Sequence, residues 1–419
     1  MTRILLAVLS GSLCANVCVA DDRDGDGLDD QSVEQMLLDR HRPTLVFEPD
    51  ERYHPVSILD FVQHSGLVAF YRIDTGFGCN RAGVGNAAVY SEAQIAADPL
   101  LVLSGLSGFN PPNPQLVCGV GDTSFVTSPN PPARWRLNIN DNYRAPGSGG
   151  SFYTGIYGHV VPTGDGRILV QYWLLFPMNE AECTSDCGDH EGDWLYLDVY
   201  VSSSPPYSLQ SIRYHHHGDG NCPPTVLPYT PPQPCGGAAY CFPVPLPADG
   251  HPVCYIEEQA HEWWPWASGG AECGFVPFLC ENASHTGGGL SYTVSSVKNV
   301  GEWYAPMPGD LESQLFVLYN GLWGHWGSIC VGTSFNPPDS PMVQFFPWPP
   351  SWQFLSHGEP AGATGSGTPT DPWRSFSTAA TSIGAGNTLR IISGTYTAVG
   401  TWNRPMTITA TLAPVTLGQ

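Results

Sequence analysis

Residues 167–202 carry two apolar runs, RILVQYWLLFP and DWLYLDVYVS, the second entered through DHEGDW (189–194). In the second run Trp194, Tyr196, Asp198 and Tyr200 alternate with Leu195, Leu197, Val199 and Val201, the period of a half-buried strand. Shorter runs of the same kind surround them: SFYTGIYGHVV, LQSIRYHHHG, HPVCYIEEQAH, GLSYTVSSV and QLFVLYNGLWG. The chain's 47 Gly and 40 Pro fall between such runs and break them into short elements. SVEQMLLDRHRP is the one convincing helix of this region, with Ser32 as its cap and Pro43 as its stop. Many short strands and few helices predict a mainly β fold, a sandwich or an irregular barrel.

Charge narrows the partners. The formal net charge is −22 and Lys298 is the only lysine, so the chain has no electrostatic footprint for nucleic acid. Residues 1–20 read as a secretory signal peptide: Met-Thr-Arg, an apolar region, then Cys18-Val-Ala20 at the cleavage positions. Later runs are too short or too polar for a transmembrane segment. A secreted or periplasmic protein is expected. Cleavage leaves Cys79, Cys118, Cys183, Cys187, Cys222, Cys235, Cys241, Cys254, Cys273, Cys280 and Cys330. In an oxidising compartment these are most simply disulfides across long loops, and their odd number leaves at least one unpaired or joined to another chain.

Composition divides the remainder. Residues 21–32 contain Asp22, Asp24, Asp26, Gly27 and Asp30 at the spacing of a calcium loop. The twelfth position is Val33, and Glu34 comes one residue too late for the usual bidentate ligand. Calcium bound weakly at this loop is the expectation. Residues 33–356 form the main β domain, and 357–371 (GEPAGATGSGTPTDP with its flank) a linker. Residues 372–419 follow, and GTYTAVGTWNRPMTITA resembles the opening turns of a right-handed parallel β-helix, as in pectate-lyase-like proteins. About one or two coils of such a repeat need neighbours to bury their faces, so no carbohydrate cleavage is assigned to it.

Histidines and acids gather at strand ends. His190 and Asp193 fall in a turn before Trp194, His215, His216 and His217 end one run, and His261 and Glu262 end another. Alternation puts His215 and His217 on one strand face and His216 on the other. Imidazole and carboxylate groups from separate strand ends can converge on one divalent cation.

YWLLFPMN, GDHEGDW, RYHHHG, HPVCYIEEQAH and LYNGLWGHWG resemble, in order, elements of the vacuolar protein sorting-associated protein 62 family. RHRPTLVFEPDERYHPVSI resembles its opening strand, and a DGDGL segment is common among its bacterial members. A weaker resemblance is to the necrosis-inducing proteins of plant pathogens. Those implied by the second likeness are a β-sandwich of actinoporin type and a divalent cation held by a turn. By position, His190 and Asp193 match the histidine and aspartate of its turn, His217 with Gly218 the strand-end HG that follows, and His261 its later histidine. Leu195 stands where both families place a glutamate and Gly192 where the second histidine would be, so the ligand set departs from that pattern. The resemblance thus implies a metal site at His190, Asp193, His217 and His261, with calcium ahead of zinc.

Three functions follow from these residues. The first is a secreted divalent-metal-binding β-sandwich that recognises a glycan or lipid headgroup through indoles such as Trp263, Trp264 and Trp266. The second is a metal-dependent hydrolase of extracellular glycans or esters, with Glu191 or Glu262 as general base. The third is a cytolysin like the necrosis-inducing proteins. No GxSxG elbow or HExxH helix is present in the chain.

Overall fold

The structure, a computed structural model, describes residues 22–23, 26–73, 83–104, 133–144, 153–180, 190–215, 225–228, 251–258, 261–269, 284–302, 305–319, 322–324, 341, 352–355, 373, 375–391, 394–396, 406–410 and 415–417. The signal segment 1–20, Asp24, His216, His217, the linker 357–371 and every cysteine except Cys254 lie outside these residues.

The two apolar runs form the middle of a six-stranded sheet in the order β15–β5–β6–β7–β8–β9. Its strands are β5 (Gly155–Pro162), β6 (Arg167–Asn179), β7 (His190–Ser202), β8 (Leu209–Tyr214), β9 (Thr225–Pro228) and β15 (Ser296–Asn299). β5 to β9 run as an antiparallel meander, and β15 joins its edge parallel to β5. β6 and β7 pair from Arg167 opposite Ser202 to Asn179 opposite His190. The strand therefore opens at His190, four residues earlier than the sequence suggests, and His190 and Asp193 lie on it.

β7 is also buried on both faces. Its alternation separates two kinds of apolar side chain, and both faces need cover. Leu195, Leu197, Val199 and Val201 pack with Leu45, Phe47, Cys254, Ile256 and Trp263. That second layer is a four-stranded mixed sheet, β11–β10–β1–β14. It comprises β1 (Thr44–Val46), β10 (Val253–Ile256), β11 (Trp263–Trp264) and β14 (Ser291–Thr293). On the opposite face Trp194 and Tyr196 join Trp173, Phe61, Leu137, Phe316 and Trp323. Trp173 is the β6 neighbour of Tyr196, and the others come from the helices Ile58–Gln63 and Leu311–Leu318 and from a sheet ordered β18–β4–β2–β3. Its strands are β2 (Ser65–Ile73), β3 (Gly83–Tyr90), β4 (Ala133–Ile139) and β18 (Leu322–Trp323). The short pairs β12 (Ser268–Gly269) with β13 (Ser284–His285) and β16 (Gly301–Glu302) with β17 (Ala305–Pro306) complete this region. The fold is mainly β with several mixed sheets, and none of the described sheets closes into a barrel.

Two local readings change. QLFVLYNGLWG supplies helix before strand, because the Asp310 carboxylate accepts the Glu312 and Ser313 N–H groups and caps Leu311–Leu318. The first helix, Gln35–His41, is preceded by a π-helical turn, Asp30–Glu34, whose cap is Asp29 rather than Ser32. Asp29 accepts from both the amide and the hydroxyl of Ser32, at 2.7 and 2.6 Å.

The C-terminal part has its own core of Trp373, Phe376, Ala379, Ile383, Leu389 and Ile391. Ser375 caps the helix Phe376–Ser382. β19 (Trp352–Leu355), β20 (Thr388–Ile391) and β22 (Thr407–Ala410) pair in parallel, as do β21 (Gly394–Tyr396) and β23 (Val415–Leu417). β19 precedes residue 357, so the boundary drawn there cuts through this parallel unit. The aromatic segment around Trp352 concealed the strand.

Candidate functional site

The start of β7 is locked by a reciprocal backbone contact. Gly192 has φ +63, and a Cβ on it would stand 2.0 Å from the Trp323 carbonyl oxygen. Gly324 has φ +126, and its Cβ would stand 1.9 Å from the Glu191 carbonyl oxygen. HEGDW and LWG thus need glycine at the two points where their chains meet. The Trp323 indole then packs edge-on against Trp194, 5.2 Å between centroids.

This lock sets Glu191 and Asp193 in different surroundings. Glu191, a candidate general base, is 3% exposed and accepts the Ile139 N–H of β4 through Oε2 at 3.0 Å. Burial lowers the pKa of Arg136 on the same strand to about 10, and the Glu191 charge opposes that fall. Asp193 is 2% exposed, and its Oδ2 accepts from His261 Nδ1 at 3.0 Å.

His261 is fully buried and sits in the left-handed region at φ 60. Its ring lies flat on Phe176, 3.9 Å between centroids and 9° between planes. The other nitrogen, Nε2, stands 3.4 Å from Glu51 Oε1. That carboxylate is fixed in turn by the Tyr53 N–H at 2.7 Å. Burial disfavours the charged imidazolium, but the Glu51 charge and the Asp193 hydrogen bond and charge outweigh it. The pKa rises to about 9. One cationic ring therefore joins two buried carboxylates from separate segments.

More acid lies nearby in sequence. Glu48 (5% exposed) accepts from Thr286 Oγ1 and the Gly287 N–H, both at 2.7 Å. Glu257 and the candidate base Glu262 are each 1% exposed, and Glu257 accepts the Trp264 indole N–H at 3.3 Å.

His190 bonds through Nδ1 to the Gly192 carbonyl oxygen at 3.0 Å. A carbonyl only accepts, so Nδ1 carries the proton, and in the neutral ring Nε2 keeps the lone pair. Of the four residues expected to hold a metal, the structure thus joins Asp193 directly to His261, places His190 three residues before Asp193, and leaves His217 undescribed. Trp263 and Trp264 are buried in the core at 0% and 3% exposure, and Trp266 is half-buried beside Trp264. Only Trp266 of the three has a face available to a ligand as the side chains stand.

His215 is turned to a different network. Its Nε2 meets Asp198 Oδ2 at 2.9 Å, and its ring stacks on Tyr196 at 3.7 Å. Gln171 Nε2 donates to Asp198 Oδ1 at 2.9 Å. His159 follows, with Nδ1 3.3 Å from Gln171 Oε1 and Nε2 2.6 Å from Glu302 Oε1. Glu302, His159, Gln171, Asp198 and His215 thus form a polar chain across the sheet. Sequence reasoning singled out neither this chain nor Glu51. Its signal was present: Gln171 and Asp198 are lone polar residues within apolar runs.

As the side chains stand, no group of three or more His, Cys, Asp or Glu among the described residues is arranged to hold a metal ion. None of the protein-family models, curated proteins or solved structures compared with the chain matches it. No described helix is long and apolar enough to cross a membrane.

Proposed function

We propose that the protein is a secreted, divalent-cation-binding β-sandwich protein that recognises an extracellular glycan or lipid headgroup. The observation that supports this reading is the pairing of two buried carboxylates, Asp193 and Glu51, through the single imidazole of His261. In this reading a cation replaces the His261 proton on the Asp193 side. Nδ1 and Asp193 become ligands, and Nε2 keeps its proton toward Glu51, the arrangement in which a carboxylate orients a ligating histidine. His190, with Nδ1 donating to a carbonyl, presents Nε2 in the tautomer of a metal ligand. The oxygen-rich surroundings suit calcium better than zinc.

The ordered motifs resembling the vacuolar protein sorting-associated protein 62 family, and the sandwich of actinoporin type, belong to the same proposal. So do the disulfides of the long loops and the secreted or periplasmic location. Hydrolysis is a weaker reading because Glu191 already accepts the Ile139 amide and lies in the field of the Arg136 charge. The test is retention on insoluble glycans and on lipid vesicles, with calcium and with chelator, beside an Asp193→Asn variant. Cation-dependent retention lost in the variant supports recognition. Turnover of the glycan would favour the hydrolase, and dye leakage from the vesicles the cytolysin.

A further inference from the structure

We infer that His215, oriented by Asp198, is the general base of an ester-hydrolysing site at the end of β8, with Arg213 as its cation. This site is separate from the one around His261. Strand register brings its parts together. His159 stands opposite Gln171 across β5 and β6, and Gln171 opposite Asp198 across β6 and β7. Asp198 lies opposite Arg213 on β8. Alternation puts His215, two residues further on, on the same face as Arg213.

Hydrogen bonds then fix where the protons lie. Gln171 Nε2 donates to Asp198 Oδ1 at 2.9 Å, so its Oε1 faces His159 and accepts from Nδ1 at 3.3 Å. His159 Nε2 meets Glu302 Oε1 at 2.6 Å and anchors the row at its buried end. The other Asp198 oxygen, Oδ2, stands 2.9 Å from His215 Nε2 and 3.8 Å from Arg213 Nη1. A carboxylate surrounded by donors in this way accepts from them. His215 Nε2 therefore carries its proton, and the neutral ring keeps its lone pair on Nδ1. Among the described residues Nδ1 has no hydrogen-bond partner. The ring is stacked on Tyr196 at 3.7 Å, and Tyr196 on Trp173 at 4.2 Å.

The outer end of the row reaches solvent. Glu302, His159, Gln171 and Asp198 are at most 3% exposed, whereas the side chains of His215 and Arg213 are 12% and 37% exposed. An imidazole lone pair open to water, with the ring oriented by a carboxylate, is the base and orienter of acyl transfer, and a guanidinium beside the same oxygen is its electrophilic partner. Nδ1 takes a proton from water as the water oxygen bonds the ester carbonyl carbon. The carbonyl π electrons move onto oxygen, where Arg213 offsets the charge. Collapse breaks the bond to the leaving alkoxide, which takes the proton back from the imidazolium, giving acid and alcohol. A glycoside calls instead for two carboxyl groups across the sugar ring, and Asp198 is committed to His215.

The experiment follows release of 4-nitrophenolate from 4-nitrophenyl acetate by the full chain near neutral pH, with and without chelator, beside thermal melts. In His215→Gln the amide still donates to Asp198 but takes up no proton. Its kcat/KM should fall about a hundredfold while the melting temperature holds. In Asp198→Asn the amide accepts from Gln171 and donates to His215 Nε2, which moves the ring proton to Nδ1 and removes the lone pair. Its kcat should fall by at least about tenfold with KM unchanged. A purely structural pair predicts the reverse, stability lost and turnover kept. Asp198→Asn carries the test alone should His215→Gln fail to fold. Wild-type turnover no faster than buffer, turnover that stops in chelator, or a loss below about tenfold in either folded variant overturns the inference.

Discussion

Gly192 and Gly324 each leave room for the carbonyl oxygen that precedes the other: Trp323 O lies against Gly192 and Glu191 O against Gly324. The motif at the start of β7 and the motif at β18 are therefore two halves of one backbone junction, separated by over a hundred residues. Both positions also hold positive φ, so a side chain meets strain and collision together.

Gly192→Ala and Gly324→Ala are each expected to destabilise the fold by about 3 kcal/mol. Neither neighbour is a flexible side-chain end that could swing aside. Urea unfolding followed by tryptophan fluorescence measures this. A loss below about 0.5 kcal/mol, the usual range of a harmless surface change, would contradict the junction.

His261 makes stability depend on pH. Its pKa rises from 6.5 in the unfolded chain to about 9 in the fold. The contribution is fully present below pH 6.5 and is lost as pH rises through 9. At about 1.4 kcal/mol per pH unit this amounts to about 3 kcal/mol. Melting in chelator between pH 6 and 10 should show that decline in wild type. In Glu51→Gln, which removes the largest charge raising the pKa, the decline should be smaller and should end at lower pH.

Cys254 is buried in the aliphatic core and its thiol is free, and burial holds its pKa well above the usual thiol range. Native protein should not react with a thiol reagent at this residue, and unfolding without reductant should release it. A Cys254→Ala variant that keeps an equal thiol count after unfolding would contradict this.

Gln171 bridges His159 and Asp198, and an apolar replacement leaves buried polar atoms short of a partner. Gln171→Leu should cost about 1–3 kcal/mol despite matching the surrounding strand. Equilibrium unfolding decides it, and a neutral or stabilising outcome would mean that the polar chain across the sheet is dispensable.

Much of the layering could be read from the period of Trp194 to Val201, which separates aromatic from aliphatic faces. What that period could not say is that both faces are covered, since Tyr and Trp suit a wet surface as well as a core. The pairing of Asp193 with His261 follows from the histidine-bearing strand ends. Glu51 was hidden because EPDERY reads as an acidic surface turn, and only the tertiary fold buries it against His261. Trp263 shows the converse limit. An indole beside a polar turn suggests a binding face, but this one fills the core.

The most direct test of the central claim is metal content by mass spectrometry of wild type beside Asp193→Ala and His261→Ala. The account predicts that each variant loses one equivalent of divalent metal, with any ion at the Asp-rich segment retained. Calcium as the lost ion would support recognition, and zinc would turn the search toward hydrolysis. Equal metal in wild type and both variants would contradict the account and leave Asp193, His261 and Glu51 as a structural ion network.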